Sequence, residues 1–306
     1  MTLTELKYIV AVARERHFGR AAEACFVSQP TLSVAVKKLE EELDVRIFER
    51  GASEVSVTPL GEQIVRQAQA VIEQANAIRE IAKLGKDPVS GPLRLGIIYT
   101  IAPYLLPALV RKAIETVPQM PLVLQENFTA RLLEMLRTGE LDCAVMAEPF
   151  PDAGLAVAPL YDEPFAVAVP RKHPLARRRQ ISAEELKNET MLLLGTGHCF
   201  RDHVLEVCPE HARLASDAEG IRKSFEGSSL ETIKHMVASG MGVTVVPQLS
   251  VPADPQPHIR YVPFVPPAPT RRVVLAWRRT FPRYEAIAAL RNAIYACELA
   301  GVTRLT

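Results

Sequence analysis

Residues 58–87 carry the pattern that most restricts how this chain can fold. Thr58-Pro59 sets a capping hydroxyl before a proline, a pair that opens helices. Ile64, Ala68, Val71, Ala75, Ile78 and Ala82 follow at spacings of 4, 3, 4, 3 and 4 residues, and Pro88 and Gly91 close the run. This is an a/d heptad seam, and about 28 helical residues make a rod of roughly 40 Å. Such a rod either packs on its own domain or pairs with a second copy. The seam is regular and the other faces are polar (Gln67, Gln69, Glu73, Gln74, Asn76), which favours dimerisation through Ile64, Val71 and Ile78. Alanine at half of the seam positions makes the coil weak alone. The rod divides the chain into residues 1–58, a linker helix 59–87, and residues 88–306.

A chain of 306 residues with 48% hydrophobic residues has room for two domains, or three, each with a real core. Lys and Arg number 36 against 35 Asp and Glu, which excludes a strongly basic coat and an acidic tail but not a local basic surface. The most apolar stretch, Ile101 to Val110, is too short to span a bilayer and holds Pro103 and Pro107. The apolar run Tyr8 to Ala13 is brief and meets Arg14-Glu15-Arg16 at once, unlike a signal peptide. Five cysteines (25, 143, 199, 208, 297) are too few, and odd in number, for a disulfide framework. The expected compartment is the cytoplasm.

In the first segment, Leu3, Leu6, Ile9, Val10 and Ala13 recur at helical spacing. A second helix runs from Gly19 to Phe26. Ser28 caps a third, with Pro30 in its first turn and Leu32, Val36, Leu39 and Leu43 on one face. Val45 to Phe48 and Val55 to Val57 read as short strands around residues 51–54. Beyond residue 91, strand and helix alternate. Leu93–Ile98, Leu122–Gln125 and Asp142–Ala147 are strands separated by helices at Pro103–Val117 and Ala130–Arg137, an order that implies a parallel sheet. A second set follows: a strand at Phe165–Val169, a short helix after Ser182, a strand at Met191–Leu194, a helix at Ser229–Ser239 and a strand at Val243–Val246. The strand Arg271–Trp277 and a helix from Arg283 to Leu299 close the chain, with the Pro-rich stretch Val262–Pro269 carrying it back to the first set. The expected fold class is α/β, with two lobes and a cleft between them.

The two helices around Val27-Ser28 have helix-turn-helix spacing, which an ordinary helical hairpin shares. Gln29, Thr31 and Ser33 suit base edges or phosphates, and Lys37 and Lys38 suit phosphates. Glu40-Glu41-Glu42 must face away from DNA. The residues go further than the spacing. Phe18-Gly19-Arg20-Ala21-Ala22-Glu23-Ala24, Ser28-Gln29-Pro30-Thr31-Leu32-Ser33, Leu39-Glu40-Glu41-Glu42-Leu43, Phe48-Glu49-Arg50 and Thr58-Pro59-Leu60-Gly61 together resemble the N-terminal domain of LysR-type transcriptional regulators. The order and length of the rest agree. The resemblance implies a winged helix-turn-helix (1–58), a linker helix (59–87) and a two-lobed effector domain (88–306) like periplasmic binding proteins. It also implies a homo-oligomer, a dimer of dimers, acting on double-stranded promoter DNA and with RNA polymerase. The family's DNA contacts fall on Gln29, Pro30, Thr31, Ser33 and Lys37.

The second informative stretch is Gly195-Thr196-Gly197-His198-Cys199-Phe200-Arg201-Asp202-His203, with Cys208-Pro209 beyond it. Cys199 follows an expected strand and a glycine turn, where a helix can begin. Helix N-termini and nearby cations, here His198 and Arg201, favour thiolate. A thiolate attacks peroxide to give sulfenic acid, and a second thiol then condenses with it to a disulfide. If the segment between is helical, Cys199 and Cys208 stand roughly 13 Å apart, too far for a disulfide without unwinding. Two other readings stay open on chemistry alone. Both cysteines can be small core residues, as expected for Cys25, Cys143 and Cys297. Cys199, His203, Cys208 and His211 can also serve as zinc ligands, although their spacing matches no common finger.

Gly197 to Asp202 with Cys208, Ser228-Ser229-Leu230-Glu231-Thr232 and Tyr161-Asp162-Glu163-Pro164 resemble the peroxide-sensing OxyR branch of the LysR family. That resemblance implies hydrogen peroxide as the signal, Cys199 as peroxidatic and Cys208 as resolving cysteine. It implies a pocket with Thr100 and Thr129, shaped by His198, Arg201 and Asp202, and neither a cofactor nor a metal. The alternatives are a LysR-type regulator triggered by a small organic inducer in the cleft, and a thiol peroxidase.

Overall fold

The computed structural model describes residues 1–50, 55–83, 89–151, 153–211, 225–227 and 229–305. The chain forms two compact units, residues 1–86 and, for the most part, 87–306. No helix among the described residues is long and apolar enough to cross a membrane.

The first unit opens with α1 (Leu3–Glu15), held by a reciprocal capping box between Thr2 and Glu5. Helix α2 (Phe18–Ala24) is capped by His17, whose Nδ1 accepts from the Gly19 and Arg20 amides. Helix α3 (Gln29–Leu43) starts at Ser28, which accepts from Thr31 N–H, with Pro30 in the first turn. Ile9, Val12, Ala21, Leu32, Val36, Leu39 and Ile47 are fully buried between these helices. Strands β1 (Phe48–Arg50) and β2 (Val55–Val57) form the antiparallel wing; the expected turn at 51–54 lies outside the described residues. The acidic run at the end of α3 has a structural use: Glu40 Oε1 accepts from the Ile47 and Phe48 amides at 2.7 and 3.0 Å and anchors the wing.

Helix α4 (Pro59–Lys83) begins where Thr58 Oγ1 accepts from Gly61 N–H and donates to the Arg46 carbonyl. Its apolar seam divides. Ala68 is buried, and Ile64 and Ile72 pack against the core of the unit. Val71 and Ile78 remain exposed, Ile78 at 70%. Ile64 is therefore part of the unit's own core, whereas Val71 and Ile78 are available to a partner.

The second unit contains, in chain order, β3 (Leu93–Ile98), α5 (Ala102–Thr116), β4 (Leu122–Asn127), α6 (Thr129–Thr138), β5 (Cys143–Ala147), β6 (Leu155–Pro170), β7 (Leu192–Leu194), α7 (Cys199–Val207), β8 (Phe225–Gly227), α8 (Leu230–Ala238), β9 (Thr244–Pro247), β10 (Ile259–Pro263), β11 (Thr270–Arg278), α9 (Tyr284–Tyr295) and β12 (Thr303–Arg304). In the first lobe the strands lie in the order β4-β3-β5-β11-β6. The β3–β4 and β3–β5 pairs are parallel, but β11 runs antiparallel to both β5 and β6. The sheet is thus mixed, not parallel throughout. Strand β6 is far longer than the expected Phe165–Val169. Its first part pairs with β11, and its end pairs with β9 and β10 in the second lobe. One continuous strand therefore joins two separate cores. The short helix after Ser182 is a 3-10 turn, Ala183–Leu186. Much of the segment His211–Arg222 lies outside the described residues.

The wing and α4 meet closely at Gly61, where an added Cβ would stand 2.3 Å from the Ile47 carbonyl oxygen. The Gly61→Ala protein is expected to lose about 1–3 kcal/mol from the first unit, read as an earlier thermal transition of that unit. An unchanged transition would show that the junction yields.

Candidate functional site

Three strand-to-helix junctions converge in the second unit: β3 to α5, β4 to α6 and β7 to α7. Between them lies a pocket lined by Thr100, Thr129, His198 and Cys199, with Tyr99 and Phe128 as its aromatic walls. It has room for about one water-sized molecule. The rings of Tyr99, Phe128 and His198 meet edge to face, with centroids 4.8–5.8 Å apart. Gly197 takes φ +99° at the floor, and a Cβ there would touch the Phe128 ring at 3.4 Å. Only glycine adopts this turn without strain.

Thr129 Oγ1 is buried and has no hydrogen-bond partner. A buried hydroxyl without a partner is costly, so this one favours a small polar guest. Thr100 is held differently. Its Oγ1 accepts from Arg271 Nη1 at 2.8 Å and its carbonyl accepts from Nη2 at 3.0 Å. That leaves the Thr100 O–H proton able to donate. The Arg271 guanidinium is itself paired with Glu163 at 2.8 Å, and the two side chains are 1% and 0% exposed. Glu163 also accepts from Leu249 N–H, and Arg271 lies over the Phe200 ring at 5.1 Å. A buried, fully bonded ion pair thus connects Thr100 to the residue after Cys199.

Cys199 is half-buried and is the first residue of α7, at the positive end of the helix dipole. Cys208 caps the other end of α7, where its N–H donates to the Val204 carbonyl at 2.9 Å. It is buried in the second lobe's core, and burial pushes its thiol up to about 11. Both cysteines are free thiols. Arg201 and Asp202 do not line the pocket. The Arg201 guanidinium donates to the Leu194 carbonyl, tying α7 to β7, and Asp202 is exposed on the helix surface. The structure therefore brings Thr100, Thr129, His198 and Cys199 together and sets Arg201 and Asp202 behind or outside.

Two further ties cross between the lobes. His203 Nε2 meets the Glu148 carbonyl at 2.8 Å, and burial holds its imidazole below the ordinary histidine range. Tyr104 on α5 donates to Glu231 on α8 at 2.5 Å. Among the described residues no cluster of three or more His, Cys, Asp or Glu side chains is placed to hold a metal. His203 and His211 turn their Nε2 atoms to the Glu148 and Leu186 carbonyls instead.

In the first unit, Gln29, Pro30, Thr31 and Lys37 are exposed on α3, and Ser33 is half-buried. Lys37 pairs loosely with Glu41 at 3.5 Å, both more than 60% exposed, a contact that DNA phosphate can replace at little cost.

Residues 3–62 match the bacterial regulatory helix-turn-helix proteins of the lysR family, and residues 86–296 match the LysR substrate binding domain. The chain belongs to the LysR family. Its relatives place it in the OxyR branch. It is 38% identical over 292 residues to the DNA-binding transcriptional dual regulator OxyR of Escherichia coli K12, covering 94% of each chain. Full-length OxyR from Pseudomonas aeruginosa, in a cysteine-to-aspartate form, shares its structure with a TM-score of 0.77 at 51% identity, over 100% of this chain and 98% of that one. A hydrogen-peroxide-bound OxyR from Corynebacterium glutamicum, in a cysteine-to-serine form, matches with a TM-score of 0.62 at 33% identity, over 96% and 91%.

Sequence reasoning missed Arg271, Tyr99 and Phe128. Tyr99 and Phe128 each precede a threonine already singled out at a strand end, so their position was a usable signal. Arg271 is 171 residues from Thr100, and no local pattern announces it. Removing the Arg271 side chain leaves the Glu163 carboxylate buried without its cation. The Arg271→Ala protein is expected to lose roughly 3–5 kcal/mol in denaturant unfolding of the second unit. A loss under about 1 kcal/mol would show that water replaces the guanidinium.

Proposed function

We propose that this LysR-family regulator binds promoter DNA through α3 and is switched by hydrogen peroxide at Cys199. The observation that carries the reading is the pocket. A half-buried thiol at a helix start faces a space for one small molecule, beside a buried threonine hydroxyl that has no partner. Peroxide is little larger than water and both donates and accepts hydrogen bonds, which suits the unpartnered Thr129 hydroxyl. The Cys199 thiolate attacks one peroxide oxygen, the O–O bond breaks, and hydroxide leaves with Cys199 as sulfenic acid. The Cys208 thiol then displaces that oxygen as water and closes the disulfide.

The second step cannot occur on the folded helix. Nine residues of α7 hold Cys199 and Cys208 roughly 13 Å apart, and a disulfide needs Cα atoms about 4.4–6.8 Å apart. Closure must unwind α7 and withdraw Cys208 from the second core. A site that refolds at each oxidation suits a switch. Gln29, Pro30, Thr31 and Ser33 meet base edges, and Lys37 meets phosphate. The exposed Val71 and Ile78 of α4 pair with a second copy, and a dimer of dimers acts in the cytoplasm with RNA polymerase. Refolding of α7 alters packing between effector domains, and the linker helices re-space the DNA units on their half-sites. His198 and the two threonines shape the peroxide pocket, which needs neither metal nor cofactor.

The test is footprinting of the full-length protein on promoter DNA with and without peroxide. Cys199→Ser protein is expected to bind with unchanged affinity and to show one footprint under both conditions, whereas the unaltered protein changes its footprint. A Cys199→Ser protein that still responds to peroxide would overturn the assignment.

A further inference from the structure

One residue on the outward face of α3 fits none of the polar roles already given. Val34 is 68% exposed, although it lies in the middle of a helix that fills the unit's core from its other side. At 100° per residue, Leu32, Val36 and Leu39 form the buried stripe, and Val34 falls almost opposite them with Pro30 and Lys37. Lys37 and Lys38, both 71% exposed at the side chain, stand one turn further along. Thr31 and Gln29 precede it. Pro30 and Val34 thus form an aliphatic centre on this face, with Gln29, Thr31, Lys37 and Lys38 around it and the Glu41 carboxylate, paired with Lys37, two turns further along.

A valine there gains nothing from water and nothing from phosphate. In the major groove one apolar group marks sequence: the C5-methyl of thymine, which aliphatic side chains contact directly. We propose that Val34 is a specificity residue that reads a thymine methyl in each half-site. The proposal rests on α3 being the helix that enters the major groove. Lysines on either side of the valine fix its register through the backbone, and the two methyls of Val34 meet the thymine methyl in a contact that excludes water. Cytosine at that position presents no methyl.

The experiment uses full-length protein and an operator duplex obtained by in vitro selection from random DNA. Each thymine of the half-site is replaced in turn by deoxyuridine, which removes the methyl and keeps base pairing. One position is expected to weaken binding by about 3- to 5-fold, with the other positions within 2-fold. In the Val34→Ser protein that position is expected to lose its methyl dependence while overall binding persists. The same uridine profile in both proteins, or no methyl-sensitive position at all, would overturn the proposal. Gln29→Ala and Lys37→Ala test the underlying reading separately. If neither weakens binding, α3 is not the reading helix and both claims fall; if both do and the uridine profile is flat, only the role of Val34 falls.

Discussion

A nine-residue helix stands between the two thiols, and its rise keeps them apart. Helix α7 is not a passive spacer. Phe200, His203 and Val204 are buried on its inner face, and Cys208 enters the same core. Arg271 lies over Phe200, and Arg201 ties the helix to the carbonyl end of β7. The half-buried thiol that lines the pocket and the thiol that lies in the core thus sit at opposite ends of one packed element. Any bond between them exchanges helix hydrogen bonds and core contacts for a covalent link, so the chemistry and the conformational change are one event.

The surroundings divide the labour. Thr100 is fixed by a buried guanidinium, whereas the Thr129 hydroxyl has no partner. One hydroxyl is thereby oriented and the other is left for the guest. Tyr99, Phe128 and His198 close the space with their rings, which limits entry by size. The ties from Tyr104 to Glu231 and from His203 to Glu148 cross between the lobes around the pocket, and His203 stands on α7 itself, so unwinding of α7 acts directly on one of the two ties.

Much of this was legible in the sequence, for local reasons. The capping residues Ser28 and Thr58 and the apolar stripes of α1 and α3 act over a few residues, and the elements follow from them. Cys199 was legible from its place after a strand pattern and a glycine turn, whereas Thr100 and Thr129 came through the resemblance to the OxyR branch. The first part of β6 was not. Pro159, Asp162, Glu163 and Pro164 break the strand pattern, and only the partners on β11 explain them: Arg272 pairs with Asp162, and Arg271 with Glu163. Heptad spacing on α4 likewise does not say which seam residues face the home unit, and α1 takes Ile64 and Ala68 for its own core. Asp202 lies close to Cys199 in sequence but is exposed on α7 and does not line the pocket.

Hydrogen exchange across α7, with the thiols mapped in the same sample, tests the coupling most directly. Reduced protein is treated anaerobically with one equivalent of hydrogen peroxide, and amide exchange is followed by mass spectrometry in the peptide spanning residues 199–208. A Cys199–Cys208 disulfide is predicted to form with Cys25, Cys143 and Cys297 still free, and the amides of residues 203–208 are predicted to lose their protection together. A disulfide that forms while those amides stay protected, or five free thiols after the exposure, would contradict the account.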